Sequence, residues 1–218
     1  MAKLIMTGGT DVGEMAVFSV DALPAGRPDA TAIDALTGQG LLLRLPTGAD
    51  GAYLLHVYLD EPVPDDVMRY CSAGDARHGR LSLPHGRLGF GGLESVFADF
   101  EPNEAIRSDG TLPAGEYQAT AYKAAFPDAL VTHAMRAAIS PEAKKHLAVP
   151  VQIAVIALAL MAVTIVLKAW LAATVVVLAA VGGLWLFYKH PTTQQLRDQA
   201  RSIELRYPSI VVTLRSTV

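Results

Sequence analysis

From residue 148 to residue 188 the chain is apolar, with one formal charge, Lys168, near the middle. The first half reads AVPVQIAVIALALMAVTIVL and the second AWLAATVVVLAAVGGLWLFY. As a helix each half would be about 30 Å long, the thickness of a bilayer's hydrocarbon core. A single unbroken helix would reach roughly 60 Å, twice what a bilayer accommodates at modest tilt. The block therefore predicts a two-helix transmembrane hairpin, about 148–167 and 170–188, that turns at Lys168. Lys144, Lys145, Trp185, Tyr188 and Lys189 flank the open end, and Lys168 and Trp170 the turn. These residue types sit well at headgroup level, so all seven are expected at the membrane interface. The block also sets the domain plan: an acidic β-rich soluble domain over 1–140, the hairpin segment over 141–189, and a helix–strand tail over 190–218.

Charge is distributed unevenly around that block. The net charge of −3 conceals nine basic against eighteen acidic residues in 1–128. Residues 129–147 carry three basic residues and one acidic, and 189–218 carry five and two. An acidic domain followed by basic segments beside lipid argues against nucleic-acid binding and for a place at a membrane surface. Lysines and arginines near the outer helix ends outweigh Lys168 alone in the turn, which puts both termini on the cytoplasmic side. The opening MAKLIMTGGTDVGE has no apolar run of secretory length. Cys71 is the sole cysteine, so no intramolecular disulfide forms. Together these place the chain at a bacterial inner membrane, with its large domain in the cytoplasm.

Outside the apolar block the pattern is short strands between turns. Glu14–Val20, Leu41–Leu45, Ala52–Leu59, Gly79–Leu83 and Glu116–Lys123 are rich in aliphatic and aromatic residues. Gly, Pro and Asp clusters bound most of them, which predicts a β-sandwich or partial barrel. Helices are expected at Pro64–Tyr70 and Asp128–Ile139, and another after Pro191, where Leu196, Ala200 and Ile203 keep helical spacing. The fold class is thus an α+β membrane protein. The last segment, Ser209–Leu214, has strand composition but no partner within the tail, so it should join the sheet of the large domain.

Candidate chemistry is sparse. Gly8–Gly13 lacks the Gly-Lys-Ser/Thr ending of a phosphate loop and reads as a β-turn, and Gly86–Gly92 reads as flexible backbone between strands. The six histidines form no metal-ligand spacing, so neither metal nor cofactor is expected. His78 and His85 flank an Arg- and Gly-rich stretch, Arg77–Gly92, the one place an enzymatic site could be imagined. Asp60, Glu61, Asp65 and Asp66 put four carboxylates in seven residues, but Pro62 and Pro64 intervene and no turn glycine is present for a calcium loop. They fit a docking surface for a basic partner instead.

These features favour a membrane-anchored, non-enzymatic protein whose acidic domain binds another protein. In general character, though in no motif, such a chain resembles bacterial immunity proteins, which implies a basic toxin as the partner. A scaffolding subunit of a homo-oligomer joined through the hairpin is the second reading, because Ala172, Ala173, Ala179, Ala180, Gly182 and Gly183 allow close helix contact. A membrane-associated enzyme using Arg77–Gly92 is the third.

Overall fold

The computed structural model describes residues 3–138, 149–166 and 170–217. It is a mixed α+β structure that divides into two compact units. One is built from 1–127 together with 207–218, and the other from 128–206.

The first unit holds nine strands. They are β1 (Lys3–Thr10), β2 (Glu14–Ser19), β3 (Leu42–Pro46), β4 (Gly51–Leu59), β5 (Arg77–Leu83), β6 (Arg87–Gly92), β7 (Arg107–Thr111), β8 (Gly115–Lys123) and β9 (Ile210–Ser216). Five form one sheet in the order β1-β4-β9-β8-β5, and four form another in the order β3-β2-β6-β7. Alternation along the strands drives the two faces together: Met15 and Val17 of β2, Leu55 and Val57 of β4, Leu81 and Leu83 of β5, and Leu88 and Phe90 of β6 lie in one shared core. The sheets also join at one corner. The Gly9 N–H donates to the Ile106 carbonyl at 3.0 Å, and the Ser108 hydroxyl to the Thr7 carbonyl at 2.6 Å.

Each outer face is covered in part, and over β2 the cover is complete enough that every residue after Glu14 is buried. Helix α1 (Ala30–Gly38), capped by Asp29 accepting from the Ala32 N–H at 2.8 Å, sets Ile33 against Ala16, Phe18 and Leu42. On the other sheet the short α2 (Asp65–Met68) brings Val67 onto Tyr58, Ala124 and Val211.

Two segments depart from the sequence expectation. Gly8 and Gly9 belong to β1 rather than to a turn, the turn itself being confined to Asp11–Gly13. The stretch Gly86–Gly92, expected as flexible backbone, is strand β6 from Arg87 onward. Its glycines answer to packing rather than mobility. Gly89 pairs with Phe18 in the ladder, and a Cβ there would overlap the Phe18 ring. A Cβ on Gly91 would come within 2.6 Å of the Ser95 hydroxyl oxygen.

The C-terminal strand enters the middle of the five-stranded sheet. It runs parallel to β4, with Val212 beside Val57, and antiparallel to β8, with Val212 beside Ala121. Parallel neighbours require a crossover. Here the chain from β4 to β9 passes through β5–β8 and then the whole second unit, which lies between β8 and β9 in sequence.

That unit contains α3 (Asp128–Ala138), α4 (Val149–Val166), α5 (Trp170–Lys189) and α6 (Pro191–Glu204). Helices α4 and α5 pack side by side, with Gly183 across from the Ile153 side chain. The corner into α6 is fixed at three points: Pro191 opens the helix, the His190 ring accepts from the Thr192 N–H, and the buried Thr193 hydroxyl donates to the Phe187 carbonyl at 2.7 Å. The tail therefore divides after Arg206. Its helix belongs to the helical unit, because Ile203 is buried there, and its strand belongs to the β unit.

Where side chains are described, no single helix is long and apolar enough to cross a membrane. The pair Thr174–Lys189 and Pro191–Glu204, bent by 57°, meets that length and composition only together.

Candidate docking surface

Of the four clustered carboxylates, Asp60 has a structural task. Its backbone sits at φ 51°, ending β4, and its N–H donates to the Leu214 carbonyl at 2.8 Å. Its carboxylate accepts from the Ser216 N–H at 2.8 Å and from the Ser216 hydroxyl at 2.6 Å. These bonds, the hydroxyl first, hold the Asp60 carboxyl below its usual titration range. A depressed pKa means the stabilisation is complete above the unfolded value, about 3.9, and is lost as pH falls through the lower folded value. Exchange of the Ser216 amide should therefore accelerate below about pH 4. The Asp60→Ala variant should show that fast exchange already at pH 7. Equal protection in the two proteins at pH 7 would remove this role.

Asp65 and Asp66 are placed differently. Both lie in the first turn of α2 and are exposed, and neither forms an ion pair among the described residues. Other carboxylates of this unit are engaged. Arg44 holds Glu14 at 2.7 Å and Asp34 at 3.1 Å, and Arg87 holds Asp21 at 3.6 Å. The negative field at α2 reaches its neighbours: burial and then the Asp66 carboxylate push the Tyr58 phenol up. Lys3, lowered by burial, is partly restored by the same carboxylate.

Beside α2 the outer face of the five-stranded sheet lies open. Glu61, Val63, Met68, Tyr122, Thr213 and Arg215 border a groove of about 450 Å³ there. An acidic edge thus adjoins a mixed groove with an exposed methionine at its rim, a composition suited to gripping a partner. Tyr70, two residues past α2, contacts Phe126 with ring centroids 4.5 Å apart, and Phe126 meets Tyr207 edge-on at 5.2 Å.

The imagined histidine pair does not form. His78, second in β5, contacts the Thr120 hydroxyl at 3.1 Å, whereas His85 lies exposed in the turn after β5. They stand at opposite ends of β5, whose five intervening strand residues alone span roughly 16 Å. The Cys71 thiol is half-buried, pushed up by burial, and donates to the Val67 carbonyl at 3.7 Å, so nothing activates it. Among the described residues no three His, Cys, Asp or Glu side chains converge as metal ligands.

Sequence reasoning missed one polar centre. Arg107, 2% exposed, makes paired bonds to Asp109 at 2.8 and 3.1 Å and donates to the carbonyls of Ser95 and Phe97, both at 3.0 Å. Its guanidinium also faces the Phe18 ring at 5.1 Å. Arg and Asp two apart on one strand face were the available signal.

Of the expected interface residues, Trp185 and Tyr188 are exposed on α5 and Trp170 opens that helix. The Lys189 ammonium lies 4.2 Å from the Trp185 ring centre, and the Arg197 guanidinium 4.9 Å from that of Tyr188. Lys144, Lys145 and Lys168 lie outside the described residues.

The fold and this face define a two-sheet β protein with an acidic edge, carrying a helical unit between its last two strands. No family profile and no curated protein matches the chain. Two solved structures are similar to part of it. One, described as Crocagin biosynthetic gene J, has 17% identity and a TM-score of 0.39, over 56% of this chain and 76% of that one. The other is ComJ from Bacillus subtilis, described as an inhibitor of the DNA-degrading activity of NucA. It has 12% identity and a TM-score of 0.36, over 56% of this chain and 81% of that one.

Proposed function

We propose that this chain is a membrane-anchored binding protein without catalytic activity, working as an immunity-like neutraliser of a basic protein at the bacterial inner membrane. The α4–α5 hairpin is the anchor. Both termini lie on the cytoplasmic side, and the α2 edge meets the partner.

The anchor reading is supported by the hairpin's surface. Val155, Ile156 and Leu158 on α4, and Val175, Leu178 and Val181 on α5, are each more than half exposed, Leu178 at 66%. In water such a patch drives aggregation, while lipid removes the cost at about 25 cal/mol per Å². Strand order supports the same-side reading. β9 lies between β4 and β8, so a chain that enters lipid after α3 has to return before Ile210.

The observation that carries the binding reading is the pair of exposed carboxylates, Asp65 and Asp66, without ion partners among the described residues, on an acidic edge that shares α2 with the groove-lining Met68. Occlusion of a basic surface by that edge requires no reaction chemistry. The test uses the full chain in mild detergent and the product of the adjacent gene. Binding should weaken at least tenfold between 50 and 300 mM salt, about 1.4 kcal/mol. The Asp65→Lys/Asp66→Lys double variant should lose a similar factor at low salt. A complex indifferent to both would place the interface on an apolar surface and contradict the acidic edge.

A further inference from the structure

The helical unit contains a cavity that the protein-binding role leaves unused. Met135 of α3, Phe187 and Tyr188 of α5, and Leu196, Ala200 and Ile203 of α6 line a space of about 310 Å³. Its wall is predominantly apolar, and one cation, Arg197, stands at the rim with its guanidinium over Tyr188. Lys189 lies one residue beyond Tyr188, its ammonium over Trp185. Each cation faces a ring rather than a carboxylate, which leaves its N–H groups available to an anion.

We propose that this cavity binds one anionic phospholipid, its acyl chain between α3, α5 and α6 and its phosphate held by Arg197 and Lys189. The proposal rests on the hairpin lying in lipid, and three features then converge on it. The cavity is lined by Phe187 and Tyr188 of α5, next in the chain to Leu186, which is 64% exposed on that apolar helix, so an acyl chain has apolar surface beside its entrance. Trp185 and Tyr188 are residue types that settle at headgroup depth, which puts the two cations where lipid phosphates lie. The charge is complementary, since residues 128–206 carry eight basic residues against four acidic, and anionic lipids dominate the charge of a cytoplasmic leaflet. A soluble phosphate would gain from the cations alone and leave the apolar wall wet. A neutral lipid would fill the wall and forgo much of the charge pairing.

The test is native mass spectrometry of the full chain from a non-ionic detergent, titrated with phosphatidylglycerol or phosphatidylcholine of matched chains. One phosphatidylglycerol should be retained with at least tenfold preference. Arg197→Gln with Lys189→Gln should bring that preference close to one, Arg197→Lys should keep most of it, and Ala200→Phe, which fills the cavity, should reduce retention of both lipids. Glycerol phosphate at millimolar concentration should not compete. Equal retention of the two lipids, a preference that survives the double variant, or displacement by glycerol phosphate would each overturn the site. Flotation with phosphatidylcholine vesicles separates this from the anchor. The wild type and the cavity variants should all float, and failure of the wild type would remove the anchor itself.

Discussion

A chain ending at Arg206 has no folded β unit. The truncation removes β9, and with it the neighbour of both β4 and β8. Ile210, Val212 and Leu214 are buried in the core between the sheets, so their loss at about 2–4 kcal/mol each comes to roughly 6–12 kcal/mol. That rivals the whole stability of a domain this size, about 5–15 kcal/mol. The exposed ladder edges of β4 and β8 add unpaired backbone groups. Backbone amides of β2, β4 and β8 should lose hydrogen-exchange protection in the truncated chain. Both tryptophans lie in the helical unit, so their fluorescence reports the hairpin independently and should change little. Retained protection in β4 would show that the sheet closes without β9.

The second large effect belongs to Arg107. Arg107→Ala leaves Asp109, 19% exposed, beside two carbonyls that have lost their donor. Breaking a buried pair by removing one partner costs about 3–5 kcal/mol when the remaining charge is uncompensated, and Arg87, 4.0 Å from Asp109, offsets part of that, so the low end of the range applies. Global exchange protection in the β unit should fall by that amount. Arg107→Lys keeps the charge but cannot serve Asp109 and two carbonyls in one plane, and should recover about half of the loss. A loss below about 1 kcal/mol for Arg107→Ala would mean that the guanidinium is not the organiser of this corner.

These two sites mark where the sequence was legible and where it was not. Strands β2, β3, β4, β5 and β8 are readable because aliphatic and aromatic residues run between Gly, Pro and Asp turns. β6 was obscured because its glycines serve to admit the Phe18 ring and the Ser95 side chain, and glycine in isolation signals a loop. β7, Arg107–Thr111, is almost wholly polar, since its core contribution is an ion pair rather than hydrocarbon. Helix α1 escaped notice because Ala and Thr dominate ATAIDALTG and only Ile33 is buried.

The acidic cluster was visible as a cluster, but its division of labour was not. Asp60 is bound to Ser216, 156 residues away, and no local pattern announces such a partner. Asp65 and Asp66, by contrast, stay exposed at the start of α2. The single Val212, buried between two strands that lie far from it in the chain, explains why composition alone suggested a strand but not its central place.

The anchor is the claim on which the functional reading turns, and alkaline carbonate extraction of membranes from cells expressing the full chain tests it most directly. The account predicts that the protein stays in the membrane pellet at pH 11, as lipid-embedded helices do. Its release into the supernatant, in the manner of a peripheral protein, would contradict it.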